Sequence, residues 1–258
     1  MKLVLKFGVA ALCLAALPAS VSADQPLLLP TPAAVGCGLL PSESALSLAL
    51  LSAVGEETSG LDFQMWGTIV DRDGIVCAVS FSGADRGSQW PGSRVISAQK
   101  ANTANAFSLD GLALSTANLY SAVQPGGSLY GLQASNPVDT GVAYKGPSQN
   151  YGTSSDPMIG SKIGGVNVFG GGLALYDSHG KVVGAVGVSG DTSCADHMIA
   201  WRVRHALNLD YLAGKGVSGD PARPDNIIYD ITDGASASGF GHPTCINTGD
   251  QAALPPVH

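Results

Sequence analysis

One pattern occurs twice in this sequence, and it limits the possible folds more than any other feature. Each copy has an apolar run, an Asp-x-x-Gly turn, a second apolar run, a Ser-Gly pair, an acidic residue and a helical pattern. The turns are Asp71 to Gly74 and Asp177 to Gly180, and the pairs are Ser82-Gly83 and Ser189-Gly190. Short apolar runs around such turns predict hairpins. Two units of this kind predict a single α/β (α+β) domain, in which helices flank an antiparallel sheet.

Apolar spacing sets the expected limits of the elements. The predicted strands cover residues 65–70, 75–81, 173–176 and 182–188. The predicted helices run from Ser42 to Val54, over 93–107 and over 194–209, because their apolar residues recur at helical spacing. Ser42 and Ser93 are the expected N-caps, since a serine side chain can accept a hydrogen bond from the first turn of a helix.

The stretch from 111 to 167 is rich in glycine, proline, serine and asparagine. It predicts a loop-rich insertion with a short helix near 115–121. So long an irregular segment is typical of a functional loop or lid. An ordered cover over one face of the sheet is the alternative.

The N-terminus has the pattern of a signal peptide over residues 1–23. Two lysines precede an apolar run, and small residues lead to a cleavage point before Asp24. An extended lead-in (24–40), the main domain (41–210) and a C-terminal tail packed on the domain (211–258) are expected to follow. No later run reaches the roughly 18 apolar residues of a membrane span. These features predict a periplasmic or secreted protein with no membrane insertion.

Charge argues against nucleic acid as a partner. The leader contains two of the 13 basic residues and none of the 20 acidic ones, which leaves 11 against 20 and a net charge of about −9. An acidic chain without basic clusters binds nucleic acid or an anionic membrane poorly.

Four cysteines remain after the predicted cleavage, an even number that favours disulfides in an oxidising compartment. They are Cys37, Cys77, Cys194 and Cys245. Cys194 with Cys245 is the preferred pair, because these residues lie in the last helix and the tail. A buried, inert thiol at Cys77 is the alternative to a second bridge.

The candidate site is where the two Ser-Gly segments meet helix N-termini, because unpaired N–H groups and the helix dipole attract anions. The candidate binding residues are Arg94, Lys100, Ser189, Asp191 and His197. His197 is also the candidate metal ligand. In the alternative interpretation, the Ser-Gly segments only cap helices. The sequence contains no complete nucleophile elbow, phosphate-binding loop or zinc motif that would indicate a catalytic set.

With these residues in view, the chain resembles the GlcG/HbpS family of haem-binding and haem-degrading proteins, which includes the PduO C-terminal domain. The resemblance rests on residues 69–83, the helix with Lys100-Ala101-Asn102-Thr103-Ala104, and residues 169–191. It implies a profilin-like or sensor-domain-like fold, homo-oligomers, and binding of haem or iron.

The leading hypothesis is therefore an exported haem-binding protein, with Arg94 or Lys100 facing the propionates and His197 as the iron ligand. Iron binding or haem degradation would follow from the same resemblance. The alternatives are an enzyme acting on a small carboxylate and a sensor or accessory module that binds a protein partner.

Overall fold

The two repeated units form the two halves of one four-stranded antiparallel sheet. Its strands are β1 (Trp66–Asp71), β2 (Val76–Phe81), β3 (Gly172–Tyr176) and β4 (Val182–Ser189), in the order β2-β1-β4-β3. The units meet where β1 pairs with β4, so that Trp66 lies opposite Phe81 on one side and Ser189 on the other. This arrangement confirms the predicted hairpins and fold class.

The computed structural model describes residues 36–258. The predicted signal peptide and most of the predicted lead-in lie outside these residues. No helix within the described part of the chain combines the length and apolarity needed to cross a membrane.

Among residues 36–258, five α-helices accompany the sheet. They are α1 (Glu43–Glu56), α2 (Ser93–Phe107), α3 (Leu132–Ser135), α4 (Thr140–Ala143) and α5 (Ser193–Ala206). A small hairpin of β5 (Ile231–Thr232) and β6 (Ala235–Ser236) follows. α2 covers one face of the sheet, whereas α1 and α5 cover the other.

Burial on both faces explains the nearly continuous apolar character of the strands. Every residue of β1, β3 and β4 is buried. In β1, Trp66 and Val70 pack in the core under α2, while Ile69 packs in the core of α1 and α5. Thr68, on the α2 side, satisfies its hydroxyl through a 2.7 Å hydrogen bond to the hydroxyl of Ser97.

The two predicted caps had different outcomes. Ser42 is the N-cap of α1, and its Oγ accepts a hydrogen bond from the Ala45 amide at 3.3 Å. The prediction of Ser93 as a cap is wrong. Gly92 already has helical dihedral angles (φ −65°, ψ −26°) and is the N-cap, so Ser93 is the first residue of α2.

The insertion at 111–167 forms an ordered cover over the α2 side of the sheet. Ala143, Met158 and Ile163 are buried in the same core as α2. The helix expected near 115–121 is present as two 3-10 turns, Thr116–Leu119 and Ser121–Val123. These contacts favour the ordered-cover alternative over a mobile lid.

The segment after α5 packs back on that helix. Asp225 forms two hydrogen bonds with the fully buried guanidinium of Arg204, at 2.6 and 2.8 Å. The indole Nε1 of Trp201 donates to the carbonyl of Pro255 at 2.9 Å. The final segment therefore covers the outer side of α5.

Two disulfides join the peripheral segments to the sheet and helix core. Cys37 is bonded to Cys77 of β2, and Cys194 of α5 is bonded to Cys245, with Cα–Cα distances of 5.2 and 6.0 Å. The preferred Cys194–Cys245 pair is confirmed, and the alternative of a free thiol at Cys77 is wrong. Each bridge limits the freedom of the unfolded chain and so stabilises the fold.

Glycine allows α2 to lie directly against β4. A Cβ at Gly187 would collide with the backbone carbonyl of Ser97 and the backbone nitrogen of Ala101. Because both obstacles are backbone atoms of a helix, no side-chain rotation can relieve the clash. The helix would have to move away from the sheet.

We therefore expect Gly187→Ala to lower the free energy of unfolding by about 2 kcal/mol or more, the upper part of the range for overpacking a core. Gly111→Ala is the matched control, because a Cβ there meets no atom within 4 Å. Urea unfolding of both variants measures the difference. Equal stabilities would contradict the close packing of α2 on β4.

Candidate functional site

The two Ser-Gly segments lie at the same end of the sheet but lead to opposite faces. Ser82-Gly83 follows β2 and Ser189-Gly190 follows β4, and the first residue of β1 separates these strand ends. The helices that follow, α2 and α5, pack on different faces. The two helix N-termini therefore do not form one shared anion site, because the sheet stands between them.

The chain's own carboxylates occupy the amides of the second segment. Asp196 accepts hydrogen bonds from the backbone amides of Gly190 and Asp191, at 3.0 and 2.9 Å. Asp191 in turn accepts from the amides of Leu61 and Phe63. The segment has the anion-binding character expected from its sequence, and the anion is supplied from within the chain.

Lys100 reaches from α2 to α5 and forms a buried ion pair. Its Nζ lies 2.5 Å from Asp196 Oδ2 and 3.1 Å from the carbonyl oxygen of Val188. Burial lowers the pKa of Lys100 and raises the pKa of Asp196 to about 6. Gly171 leaves room for this pair, because a Cβ at that position would meet both Lys100 Nζ and Asp196 Cβ at 3.0 Å.

Arg94 is also engaged within the fold. Its guanidinium forms a two-point ion pair with Asp156, donates to the Ala143 carbonyl at 2.8 Å and lies 3.6 Å from the centre of the Tyr151 ring. Only 2% of Arg94 is exposed. Its positive charge is largely balanced by Asp156, so a bound anion would gain little from it.

His197 is fully buried beside Trp201. Its Nε2 donates to Asn226 Oδ1 at 3.2 Å, which leaves Nδ1 as a buried acceptor without a hydrogen-bond partner. Burial lowers the pKa of His197 to about 4. Within residues 36–258, the three clusters of possible metal ligands do not include His197.

Of the five candidate residues, the structure places Arg94 at a cavity. Lys100, Ser189, Asp191 and His197 are buried in the fold. Lys100, Asp191 and His197 are hydrogen-bonded there, and Ser189 ends β4 opposite Trp66. That these four residues bind a ligand stays a prediction.

A cavity of about 350 Å³ lies at the first turn of α2, between the sheet and the insertion. Aromatic rings provide much of its wall. The lining residues that matter most are Trp66, Arg86, Val95, Tyr144 and Tyr151. Its volume is in the range of small-molecule sites, and the combination of apolar walls with a few polar groups is typical of such sites.

The charge around this cavity favours an anionic group. Arg86 is exposed, and Gly92 caps α2 without a side-chain hydrogen bond to the first turn. The positive end of the helix and the Arg86 guanidinium therefore act in the same direction. The phenol of Tyr144, which is 61% exposed, is a further polar group at this cavity.

Sequence reasoning missed most of this cavity. Trp66 occupies the first position of a strand, and Tyr144 and Tyr151 lie in the irregular insertion. No spacing in the sequence indicates that the insertion returns to the start of α2. The Arg94–Asp156 contact, which fixes this return, joins residues 62 positions apart.

Comparison with known proteins assigns the chain to a family. A family model described as haem degrading protein HbpS-like matches residues 43–204, more than half of the sequence. The chain belongs to the HbpS-like family. This assignment confirms the resemblance that the repeated strands and the Lys100 helix indicated.

Solved structures similar to this HbpS-like chain include the following three. Protein ORFY of Klebsiella pneumoniae has 26% identity over 65% of this chain and 90% of that chain, with a TM-score of 0.43. A PduOC haem complex has 25% identity over 64% and 91%, with a TM-score of 0.45. A double mutant of Streptomyces reticuli HbpS has 15% identity over 77% and 98%, with a TM-score of 0.38. The search of curated proteins found no significant match.

The buried imidazole of His197 predicts a loss of stability in acid. With a pKa of about 4 in the folded state and about 6.5 unfolded, it takes up its proton in the unfolded state first as the pH falls. This one group therefore lowers the free energy of unfolding by about 2 kcal/mol between pH 7 and pH 5. Burial also lowers the pKa of His242 to about 4, which adds a loss of the same sign.

Urea unfolding of His197→Phe at both pH values tests this expectation. The variant should lose the His197 share of the pH dependence, while Asn226 Oδ1 keeps its 2.9 Å hydrogen bond from the Ile227 amide. His179→Phe, in the exposed β3–β4 turn, is the control and should keep the full dependence. An unchanged pH dependence in His197→Phe would contradict a buried neutral imidazole.

Proposed function

We propose that this protein binds haem at the cavity beside the first turn of α2. The observation that carries the proposal is the match of residues 43–204 to the model of haem-degrading HbpS-like proteins. The cavity at α2 also suits a haem group. The cavity combines aromatic walls for a flat ring system with a cation at its rim.

Each part of the cavity has a role in this proposal. Trp66 and Val95 provide apolar floor, and Tyr151 provides a ring that Arg94 holds in place. Arg86 binds a propionate, because its guanidinium is exposed and has no ion-pair partner among the described residues. With about 350 Å³ open at the surface, the cavity covers one part of the porphyrin rather than enclosing it.

The phenol of Tyr144 is the iron ligand in this proposal. Tyrosine is an established axial ligand of haem iron. Tyr144 is exposed at the cavity, whereas the other lining phenol, Tyr151, donates to the carbonyls of Tyr144 and Lys145 at 3.2 and 3.3 Å. His197 is the competing ligand predicted from the sequence, and the two differ in accessibility.

A haem titration followed by absorbance tests the proposal. The wild-type protein should give a saturable Soret change at about one haem per chain. Tyr144→Phe should alter the position of the band, and Arg86→Ala should weaken binding by about tenfold, the equivalent of one lost charge-assisted contact. Matched controls are Tyr130→Phe, an exposed tyrosine outside the cavity, and Lys181→Ala, an exposed cation in the β3–β4 turn.

The alternatives give different spectra. A band that changes in His197→Phe and not in Tyr144→Phe would move the iron to the buried histidine. No saturable change in the wild type, relative to an unrelated acidic protein, would contradict haem binding.

The family description extends the proposal to haem degradation. Decay of the Soret band with ascorbate and oxygen, together with iron release, is the expected result for that activity.

We also propose that the protein is exported to the periplasm or outside the cell. Two disulfides support this location, because such bonds persist mainly in oxidising compartments. The N-terminal pattern of residues 1–23 supports it as well. After expression of the full sequence in a bacterial host, the mass of the recovered protein should correspond to a chain that begins at Asp24. An uncut chain confined to the cytoplasm would contradict export.

A further inference from the structure

One of the three clusters of possible metal ligands among the described residues lies at the C-terminal end of α5. His205 Nδ1 is 2.8 Å from Asp210 Oδ2, and His258 Nδ1 is 2.6 Å from Asp210 Oδ1. The three ligand atoms all lie within 4.8 Å of one another. Two imidazoles and one carboxylate therefore converge on a volume about the size of one metal ion.

The backbone holds this cluster in place. The amide of His258 donates to the Asp210 carbonyl at 3.2 Å, and the His258 carbonyl accepts from Ala213 at 3.3 Å. The ring of Tyr211 stacks on the His258 ring with 4.8 Å between centres. Such support reduces the entropy lost when a ligand side chain binds a metal.

Asp210 differs from three other buried aspartates in what balances its charge. Asp156, Asp196 and Asp225 each pair with an arginine or a lysine. The side chain of Asp210 is only 1% exposed, and its partners among the described residues are the two imidazoles. A divalent cation held between this carboxylate and the two imidazoles would place a fixed positive charge beside Asp210.

We propose that His205, Asp210 and His258 bind one divalent transition-metal ion, with zinc as the representative case. Imidazole nitrogen with one carboxylate oxygen suits zinc, copper or nickel better than magnesium or calcium. On binding, each imidazole presents the lone pair of its Nδ1 to the metal and carries its one proton on Nε2, and any proton displaced from Nδ1 leaves to solvent. The carboxylate then offsets one of the two positive charges of the cation.

The geometry needs little adjustment. Ligand atoms about 2.1 Å from a tetrahedral zinc ion are about 3.4 Å apart, so the imidazole that now contacts the ligating oxygen of Asp210 must withdraw from it by about 0.6–0.8 Å. Both imidazoles can do this because their side chains are 37% and 43% exposed, while the buried Asp210 stays fixed. Three protein ligands leave a fourth position open to water.

The imidazole of His205 lies at the wall of a second cavity. The cavity has a volume of about 550 Å³ and is lined by His205 together with Glu56 and Arg202. It shares no lining residue with the cavity at α2, and Asp210 and His258 lie beyond the family-matched residues 43–204. The metal site is therefore independent of the haem proposal, and either can fail without the other.

Zinc binding to the purified, disulfide-bonded full chain tests the inference by isothermal titration calorimetry. We expect about one Zn²⁺ per wild-type chain, at least about tenfold weaker binding in His205→Ala and in His258→Ala, and no specific binding in the double variant. His179→Ala removes an exposed histidine elsewhere and should bind zinc as the wild type does.

Two further measurements distinguish loss of the metal site from loss of the fold. Circular dichroism of each variant shows whether the fold is retained, which we expect because both imidazoles are partly exposed. Titration with Co²⁺ should give visible absorption bands of a low-symmetry site in the wild type and not in the double variant. No stoichiometric zinc binding by the wild type, or wild-type affinity in the double variant, would overturn the proposal.

Discussion

The buried ion pair between Lys100 and Asp196 joins the two repeated units of this protein. Lys100 comes from the helix of the first unit and Asp196 from the helix of the second, and these helices lie on opposite faces of the sheet. The same carboxylate holds the amides of Gly190 and Asp191 at the end of β4. Removing either charge would leave the other unpaired in the core, so the relative position of the two units depends on this contact.

This ion pair also bears on the position of the proposed ligand site. At the α5 side, Asp196 accepts from the amides of Gly190 and Asp191, and Thr192 Oγ1 accepts from the amide of Ala195, so the chain itself satisfies these donors. The α2 side differs, since Gly92 offers no side-chain cap and Arg86 remains exposed. The proposed site therefore lies at the N-terminus of α2 and not at that of α5, although each helix follows a Ser-Gly pair. The two helix ends differ in the aspartates that follow the glycine of that pair.

The sequence predicted the repeated elements well, because hairpins and amphipathic helices depend on residues close together in the chain. The strands around Asp71 to Gly74 and Asp177 to Gly180, and the preferred bridge of Cys194 with Cys245, are confirmed. The cavity and the histidine cluster were missed because both depend on long-range returns. Tyr144 reaches α2 through an irregular segment, and His258 reaches His205 across 53 positions.

The two covering segments follow a common plan. Each repeated unit is followed by an irregular segment that returns over its own helix and delivers an aspartate to a buried arginine: Asp156 to Arg94, and Asp225 to Arg204. Each arginine also stacks on an aromatic ring, that of Tyr151 or Trp201. Neither segment can therefore be treated as a removable decoration. A shortened form of this domain would need an uncharged residue in place of the arginine whose counter-ion it discards, and the same rule would apply on both faces of the sheet.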